Sequence, residues 1–231
     1  MITLRRSAER GVTKTQWLES RHTFSFGEYD DPAFVGFGAL RVINEDWITG
    51  QAGFPPHPHR DMEIVTYILE GALQHKDSGG GGGVIRPGEI QRMSAGSGVV
   101  HTEFNADRER CHLLQIWILP SRHGIEPSYE QKSIDIAAIT NKFARIAGPD
   151  PQPNEVRLVQ DAEIWAARLD ADIEAIRSLA PGRRAWIQVA KGEVSLGDET
   201  LKAGDAAAIT DQSEITVRSR APSEVLLFDL A

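Results

Sequence analysis

The sequence contains a single cysteine, Cys111, so no disulfide can form within the chain. Cys111 precedes the apolar segment 113–119, where we expect a buried structural thiol rather than a catalytic one. The N-terminus has no apolar signal core, and no apolar run approaches the length of a membrane span. These absences predict a reduced, soluble, cytoplasmic protein that makes no membrane contact.

Basic residues are also few, since 25 Lys and Arg stand against 33 Asp and Glu, which gives a net charge of −8. Domains that bind nucleic acids usually carry a basic patch that neutralises phosphates. The basic pairs here, residues 5–6 and 183–184, are short. We therefore expect no direct contact with nucleic acid.

Histidine is missing from the second half of the chain, because all seven histidines lie within the first 123 residues. Two of them, His57 and His59, are separated by one residue, as are His101 and Glu103. Residues i and i+2 of an extended strand point to the same face. Imidazole and carboxylate are ligands of divalent transition metals. The spacing therefore predicts one metal ion held by these four side chains.

Short strand patterns recur between turn signals, as in a β-sandwich or barrel. We expect 72–77 to return as the hairpin partner of 63–69. The glycine run 79–83 lacks the following Gly-Lys-Ser/Thr of a phosphate-binding loop, so it predicts a flexible loop tip. The segments with strand character before residue 120 are residues 2–6, 37–44, 63–69, 84–93, 99–104 and 111–119.

Prolines and glycines interrupt the pattern between residues 120 and 155, which indicates a connection between two domains. Within it, residues 133–139 predict a short helix capped by Ser133. Residues 170–180 permit a helix, with strand or loop remaining open. The predicted domains are residues 1–132, which bind the metal, and residues 133–231.

The two halves resemble each other weakly. Residues 185–194 resemble residues 65–73, and residues 201–205 resemble residues 85–89, each with a strand, a glycine turn and a second strand. The second half has no histidine, so it cannot build a histidine metal site. We expect it to repeat the framework without the ligands.

The motifs resemble the two sequence boxes of the cupin superfamily and, within it, the pirin family. The resemblance rests on SRHTFSFGEY (residues 20–29), GFGALRVIN (36–44), FPPHPHRDMEIVTYILEG (54–71) and MSAGSGVVHTE (93–103). It implies an all-β protein of two tandem cupin (jelly-roll β-barrel) domains with few short helices, of which only the first binds metal.

The resemblance also assigns the ligands. It implies His57, His59, His101 and Glu103, although ordinary cupins would use a glutamate corresponding to Glu63. We expect Glu63 to face inward beside the ligands and to hydrogen-bond a ligand or the substrate. Asn105 is expected to be structural, and Arg60 and Gln115 are candidates for the pocket wall. The ligand set suits Fe(II), which we expect, and also Mn, Co, Ni, Cu or Zn.

Bacterial pirin-like proteins are implied by this resemblance to act as quercetin 2,3-dioxygenases. The expected partners are a small aromatic, flavonol-like substrate and dioxygen, and the expected state is a monomer. Glu103 would take the proton of the flavonol hydroxyl, and the heterocycle would open with release of carbon monoxide. We expect Val65, Tyr67 and Trp117 to line an apolar pocket. The alternative is a non-catalytic, metal- or redox-responsive protein that modulates a regulatory protein partner.

Overall fold

The computed structural model describes all 231 residues, and almost every regular element is a strand. The helical elements are a 3-10 turn, Ser7–Glu9, and one short helix, α1 (Ile136–Ile139). No helix is long and apolar enough to cross a membrane. The expected all-β class is confirmed.

The strands fall into two successive sets. The first set is β1 (Ile2–Arg5), β2 (Gly11–Lys14), β3 (Leu18–His22), β4 (Leu40–Ile48), β5 (Ala52–His59), β6 (Glu63–Glu70), β7 (Leu73–Asp77), β8 (Gly82–Ile85), β9 (Glu89–Ser94), β10 (Val99–Asn105), β11 (Cys111–Ile118) and β12 (Ser128–Ser133). The second set is β13 (Ala144–Gly148), β14 (Val156–Arg157), β15 (Ala162–Leu169), β16 (Glu174–Ser178), β17 (Arg184–Lys191), β18 (Glu193–Leu196), β19 (Glu199–Lys202), β20 (Ala206–Ile209), β21 (Glu214–Ser219) and β22 (Ser223–Leu230).

Each cupin domain combines a seven-stranded sheet with a four-stranded sheet. The first domain has the orders β12-β9-β6-β11-β4-β3-β2 and β5-β10-β7-β8. The second has β1-β20-β17-β22-β15-β13-β14 and β16-β21-β18-β19. The equivalent strands follow the same order, which supports the internal repeat. Strand β1 pairs with β20, so the N-terminus completes the second domain's sheet. The boundary at residues 132 and 133 stays a prediction.

The interiors of the two domains differ in chemistry. A cluster of 17 buried apolar residues, including Ala175 and Val217, fills the second domain. The first domain has only smaller clusters, of 7 and 4 buried residues. The largest cluster, of 25 buried residues, contains Tyr67 and Phe228 and joins the two domains. Burial of apolar surface therefore holds the domains together and leaves the first interior free for polar groups.

Three local expectations were wrong or incomplete. The strand after Gly71, β7, pairs with β8 and β10 rather than with β6, because the chain crosses to the other sheet. The cap of α1 is Asp135, whose side chain accepts from the Ala138 N–H, and not Ser133. The segment left open between residues 170 and 180 contains strand β16.

Candidate metal centre

The four candidate ligands lie on two neighbouring antiparallel strands, β5 and β10. His101 pairs directly with His57, and Glu103, two residues further along β10, pairs with Phe54. Phe54 is three residues from His57, so β5 has one extra residue here and forms a bulge at residues 55–56. Both bulge residues are proline, which has no N–H for the ladder and is tolerated at bulges of edge strands. After the bulge, the pairing of His57 with His101 places the side chains of His57, His59 and His101 next to one another.

The structure brings three imidazole rings together. The ring centroids are 4.8 Å apart for His57 and His59, 4.3 Å for His57 and His101, and 4.8 Å for His59 and His101. One nitrogen of each ring lies within 4.8 Å of the others. This arrangement can hold a single transition-metal ion.

Glu103 belongs to a second, overlapping group. Its carboxylate lies within 4.8 Å of ring nitrogens of His101 and His75. His101 is thus common to both groups. The carboxylate does not come within this distance of His57 and His59 together with His101, so the two groups overlap only at His101.

Hydrogen bonds leave the ligand nitrogens free for a metal. His57 Nδ1 lies 2.8 Å from the Pro55 carbonyl oxygen, which can only accept, so this nitrogen carries the proton and Nε2 does not. His101 Nε2 is buried without any hydrogen-bond partner. A buried polar atom without a partner is unfavourable, and a metal ion would satisfy it. The residues present therefore fit a metal.

The surroundings of two of the imidazoles, His59 and His101, keep them neutral, as ligation requires. Burial, together with His57, lowers the pKa of His59 to about 4. Burial and the three neighbouring histidines His57, His59 and His75 lower the pKa of His101 to about 2. Both rings can bind a cation at neutral pH without first losing a proton.

Glu103 has the opposite shift. Burial, together with the nearby Asp46, raises its pKa to about 7, although a hydrogen bond from Gln115 acts in the other direction. Gln115 Nε2 donates to Glu103 Oε1 at 2.7 Å, and Thr66 donates to Gln115 Oε1 at 3.1 Å. This chain fixes both the amide and the carboxylate. Glu103 can exchange a proton near neutral pH, which suits a general acid or base.

A cavity of about 300 Å³ opens beside the cluster. Its wall mixes apolar side chains with polar groups of β3, β4 and β11, the strands of the facing sheet. The lining residues are Thr13, Leu18, Ser20, His22, Phe26, Asn44, Asp46, Phe54, His57, His59, Glu103, Gln115 and Trp117. The cavity is large enough for a small aromatic molecule.

Some expected positions lie elsewhere. Trp117 and Gln115 line the cavity as expected, but Val65 and Tyr67 pack into the cluster between the domains. The reason is strand parity, since Thr66, opposite Gln115, takes the inward position on β6. Arg60 lies in a separate cavity.

Glu63 also lies outside the group of candidate ligands. It is fully buried, and it is not among the residues that line the cavity. Its carboxylate accepts from the Ser94 hydroxyl and, at 3.2 Å, from the Val159 N–H. The turn before β6, where Asp61 has a φ of 49°, interrupts the strand parity that made Glu63 a candidate.

Sequence reasoning assigned no role to two histidines that the structure places at the site, His22 and His75. His22 lines the cavity and lies 2.8 Å from both Thr13 Oγ1 and Asn44 Oδ1. His75 lies beside His101, with 3.4 Å between their Nδ1 atoms. The i, i+2 spacing that identified the ligands also separates His75 from Asp77, so it could have marked His75 as a candidate.

The remaining candidates behave as structural residues. Asn105 donates to three backbone carbonyls, including Ile48 O at 3.1 Å, and so fixes the end of β10. His112 binds Glu45 at 2.9 Å, and His123 is largely exposed. The Cys111 thiol is buried, and burial raises its pKa to about 12, which makes it a poor nucleophile.

Two family models match the chain. The model described as Pirin matches residues 4–118, and the model described as Quercetinase C-terminal cupin domain matches residues 145–230. Together they cover both cupin domains.

Curated relatives and solved structures match over the full length. The quercetin 2,3-dioxygenase of Escherichia coli (strain K12) is 46% identical over 231 residues, covering 100% of this chain and 99% of the relative. A putative quercetin 2,3-dioxygenase of Pseudomonas aeruginosa is 41% identical over 232 residues, covering 100% of both. The crystal structure of the bacterial pirin YhhW from Escherichia coli in complex with nickel(II) has a TM-score of 0.94 at 44% identity, covering 100% of this chain and 99% of that one.

Proposed function

The chain belongs to the pirin family, and we propose that it is a metal-dependent dioxygenase that opens the heterocycle of flavonols such as quercetin. The observation that carries the proposal is the cluster of three imidazoles, with the buried His101 Nε2 left unpartnered, beside a cavity of about 300 Å³. Full-length relatives named quercetin 2,3-dioxygenase support the reaction class.

We assign His57, His59, His101 and Glu103 as the residues that hold the metal. When bound there, a divalent ion, Fe(II) by preference or Mn, Co, Ni, Cu or Zn, would lower the pKa of a phenolic hydroxyl and bring the substrate and dioxygen together. The relative crystallised with nickel(II) supports a divalent ion. The low pKa values of His59 and His101 keep both rings ready to bind it.

Glu103 is the proton acceptor in this proposal. Its Oε1 already accepts from Gln115, so Oε2 is the oxygen left to face the metal and, once the substrate binds, to take the proton of the flavonol hydroxyl. In the protein without metal, burial raises the pKa of this carboxyl to about 7, which makes it a stronger proton acceptor than an ordinary glutamate. Gln115, anchored by Thr66, keeps the carboxylate from turning away from the cavity.

The cavity wall selects the substrate and limits water. Phe26, Phe54 and Trp117 offer apolar surface for a flat ring, and the Asn44 amide nitrogen offers a donor for its hydroxyls. A cavity lined by candidate metal ligands and apolar rings gives an enzyme a place to bind its substrate next to the metal. It favours catalysis over the alternative of a non-catalytic protein that modulates a regulatory partner.

The test is aerobic turnover of quercetin by the protein loaded with each candidate metal, with carbon monoxide release measured alongside substrate loss. Glu103→Gln, assayed with its metal content verified, should lose about 10²- to 10⁴-fold in rate, because the proton acceptor is gone. The matched control is Glu109→Gln, an exposed carboxylate beyond the end of β10, which should leave the rate unchanged. If no divalent ion supports turnover, or if Glu103→Gln reacts as fast as the wild type, the proposed function is wrong.

A further inference from the structure

A buried row of three side chains runs from β7 to the candidate metal ligands. Asp77 Oδ2 lies 3.2 Å from His75 Nε2, and His75 Nδ1 lies 3.4 Å from His101 Nδ1. The far nitrogen of His101, Nε2, is buried and has no partner. Strands β7 and β10 are neighbours, with His101 opposite Asp77 and Glu103 opposite His75, so the side chains of the row lie on adjacent strands.

The proton positions along this row follow from the first acceptor. An ionised carboxylate only accepts, so His75 Nε2 carries the proton that faces Asp77. His75 Nδ1 then has a free lone pair and accepts from His101 Nδ1–H. His101 is thereby fixed in the tautomer whose Nε2 lone pair is free. We propose that Asp77 and His75 form a positioning relay that holds His101 ready to bind the metal through Nε2.

This relay rests on the proposed metal site, and it adds a role for two residues outside the ligand set. Ligating histidines commonly donate their second N–H to an acceptor that fixes the ring and strengthens the ligand. Here the acceptor is a second histidine, and the carboxylate lies one residue further away. The Asp77 carboxylate would thus act on a bound metal indirectly, through the hydrogen bonds that join it to His75 and His75 to His101.

The glycine run after β7 fixes the carboxylate at the start of the relay. The N–H groups of Gly79 and Gly81 donate to Asp77 Oδ1 at 2.8 Å and 2.9 Å. A Cβ at Gly81 would lie 2.4 Å from Asp77 Oδ2 and 2.6 Å from Tyr129 Cβ, so a larger residue cannot fit there. The segment expected to be a flexible loop tip therefore has a structural function.

The surroundings hold the second member of the relay as firmly. The His75 ring stacks on Tyr129 with 5.1 Å between the ring centroids. The side chains of His75 and Asp77 are only 1% and 4% exposed. Water is therefore largely excluded from the bonds of the relay.

Asp77→Asn is the most discriminating variant, because the N–H groups of Gly79 and Gly81 fix the orientation of the new amide. They require an oxygen at the Oδ1 position, so the amide nitrogen must face His75 Nε2. That nitrogen donates, which reverses every proton in the row and places a proton on His101 Nε2, where it blocks the metal. We expect Zn(II) to bind about 10- to 100-fold more weakly. His75→Phe, which keeps the stacked ring but breaks the row, should weaken binding similarly.

The experiment measures the Zn(II) dissociation constant of the full-length protein by chelator competition, with the ion count per chain. Asp198→Asn, an exposed aspartate of the second domain, is the matched control and should bind like the wild type. Imidazole ¹⁵N shifts of the zinc-loaded wild type should show the protons on His101 Nδ1 and His75 Nε2. This spectrum decides the proposal by itself if the variants do not fold.

Three results would overturn the relay. They are unchanged zinc affinity in a folded Asp77→Asn protein, a His75 proton on Nδ1, or two zinc ions per chain with the second lost in His75→Phe. The last would mean that His75, His101 and Glu103 hold an ion of their own. A wild type that binds no zinc would instead refute the metal site itself, so the two failures are distinguishable.

Discussion

At the scale of single residues, the site combines groups whose pKa values move in opposite directions. Burial lowers the pKa of His101 to about 2 and raises that of Glu103 to about 7. At pH 6 the imidazole is neutral while the carboxyl is mostly protonated. If Glu103 joins the metal as proposed, metal binding near neutral pH therefore releases its proton.

Isothermal titration with Zn(II) in two buffers of different ionisation enthalpy measures that release. At pH 6 the wild type should release about 0.9 proton more than Glu103→Gln, and the difference should fall to about 0.1 at pH 8. His59 and His101 are already neutral at both pH values, so they contribute nothing to the difference. Equal release by the two proteins would show that Glu103 does not join the metal.

Asp46 gives a second pH-dependent effect, this time on stability. Burial raises its pKa from 3.8 to about 7, so between these values the folded state binds more protons than the unfolded state. Stability from this group is therefore lost as the pH rises. Asp46→Asn has no such loss. In metal-free protein its stability relative to the wild type should rise between pH 4 and pH 8 by on the order of 2–4 kcal/mol.

Urea denaturation of the metal-free proteins at several pH values measures this difference. The control is Asp198→Asn, whose difference from the wild type should stay constant because this residue is exposed. A constant difference for Asp46→Asn as well would mean that the Asp46 carboxyl is ionised in the folded protein.

At the scale of elements, the site depends on the close approach of β5 and β10. Gly53 pairs with Phe104, and a Cβ at this glycine would lie 2.1 Å from the carbonyl oxygen of Glu103. Backbone atoms cannot move away cheaply, so Gly53→Ala must separate the strands. We expect a loss of about 1–3 kcal/mol in the free energy of unfolding, with weaker metal binding.

Thermal unfolding and zinc affinity test this prediction together. Gly148→Ala serves as the control, since the three atoms nearest to its added Cβ belong to the Arg145 side chain, the first at 3.2 Å, and none is backbone. That variant should stay within about 0.5 kcal/mol of the wild type. If Gly53→Ala keeps full stability and zinc affinity, the tight β5–β10 contact is not what holds the ligands.

The strands, and the fact that His57 and His59 share one face of a strand, could be predicted because both depend on the local periodicity of the sequence. The partners of β7 could not be predicted, since a hairpin and a crossing to the second sheet start from the same turn at Gly71. Glu63, expected to face inward beside the ligands, lies away from the cavity for a related reason. The odd-numbered positions of His57, His59 and Glu63 would share one face of a regular strand. The backbone turns at Asp61, however, and the Glu63 side chain points toward Ser94.

At the scale of the whole molecule, two domains of the same topology have interiors of different chemistry. The apolar interior of the second domain, with Val217 facing inward, holds the fold, whereas the first interior carries the polar site. The sequence predicted this difference from the missing histidines. It could not predict that Val65 and Tyr67 join the domains, because inward and outward faces of a fully buried strand look alike.

Tyr67 tests that assignment. Its hydroxyl donates to Glu224 of the second domain, which Arg168 also binds, at 3.2 Å. Tyr67→Phe should lower the free energy of unfolding by about 1–2 kcal/mol and leave the KM for quercetin unchanged. Trp117→Ala, which enlarges the cavity, should raise that KM instead. A raised KM in Tyr67→Phe would place this residue in the substrate site after all.

The claim that a metal ion sits on the histidine cluster is tested most directly by elemental analysis of the purified protein. The wild type should contain close to one divalent transition-metal ion per chain, and His57→Ala should lose most of it. The variant removes one of three rings whose centroids lie within 4.8 Å of each other. A wild type without near-stoichiometric metal, or a His57→Ala protein that keeps it in full, would contradict the account.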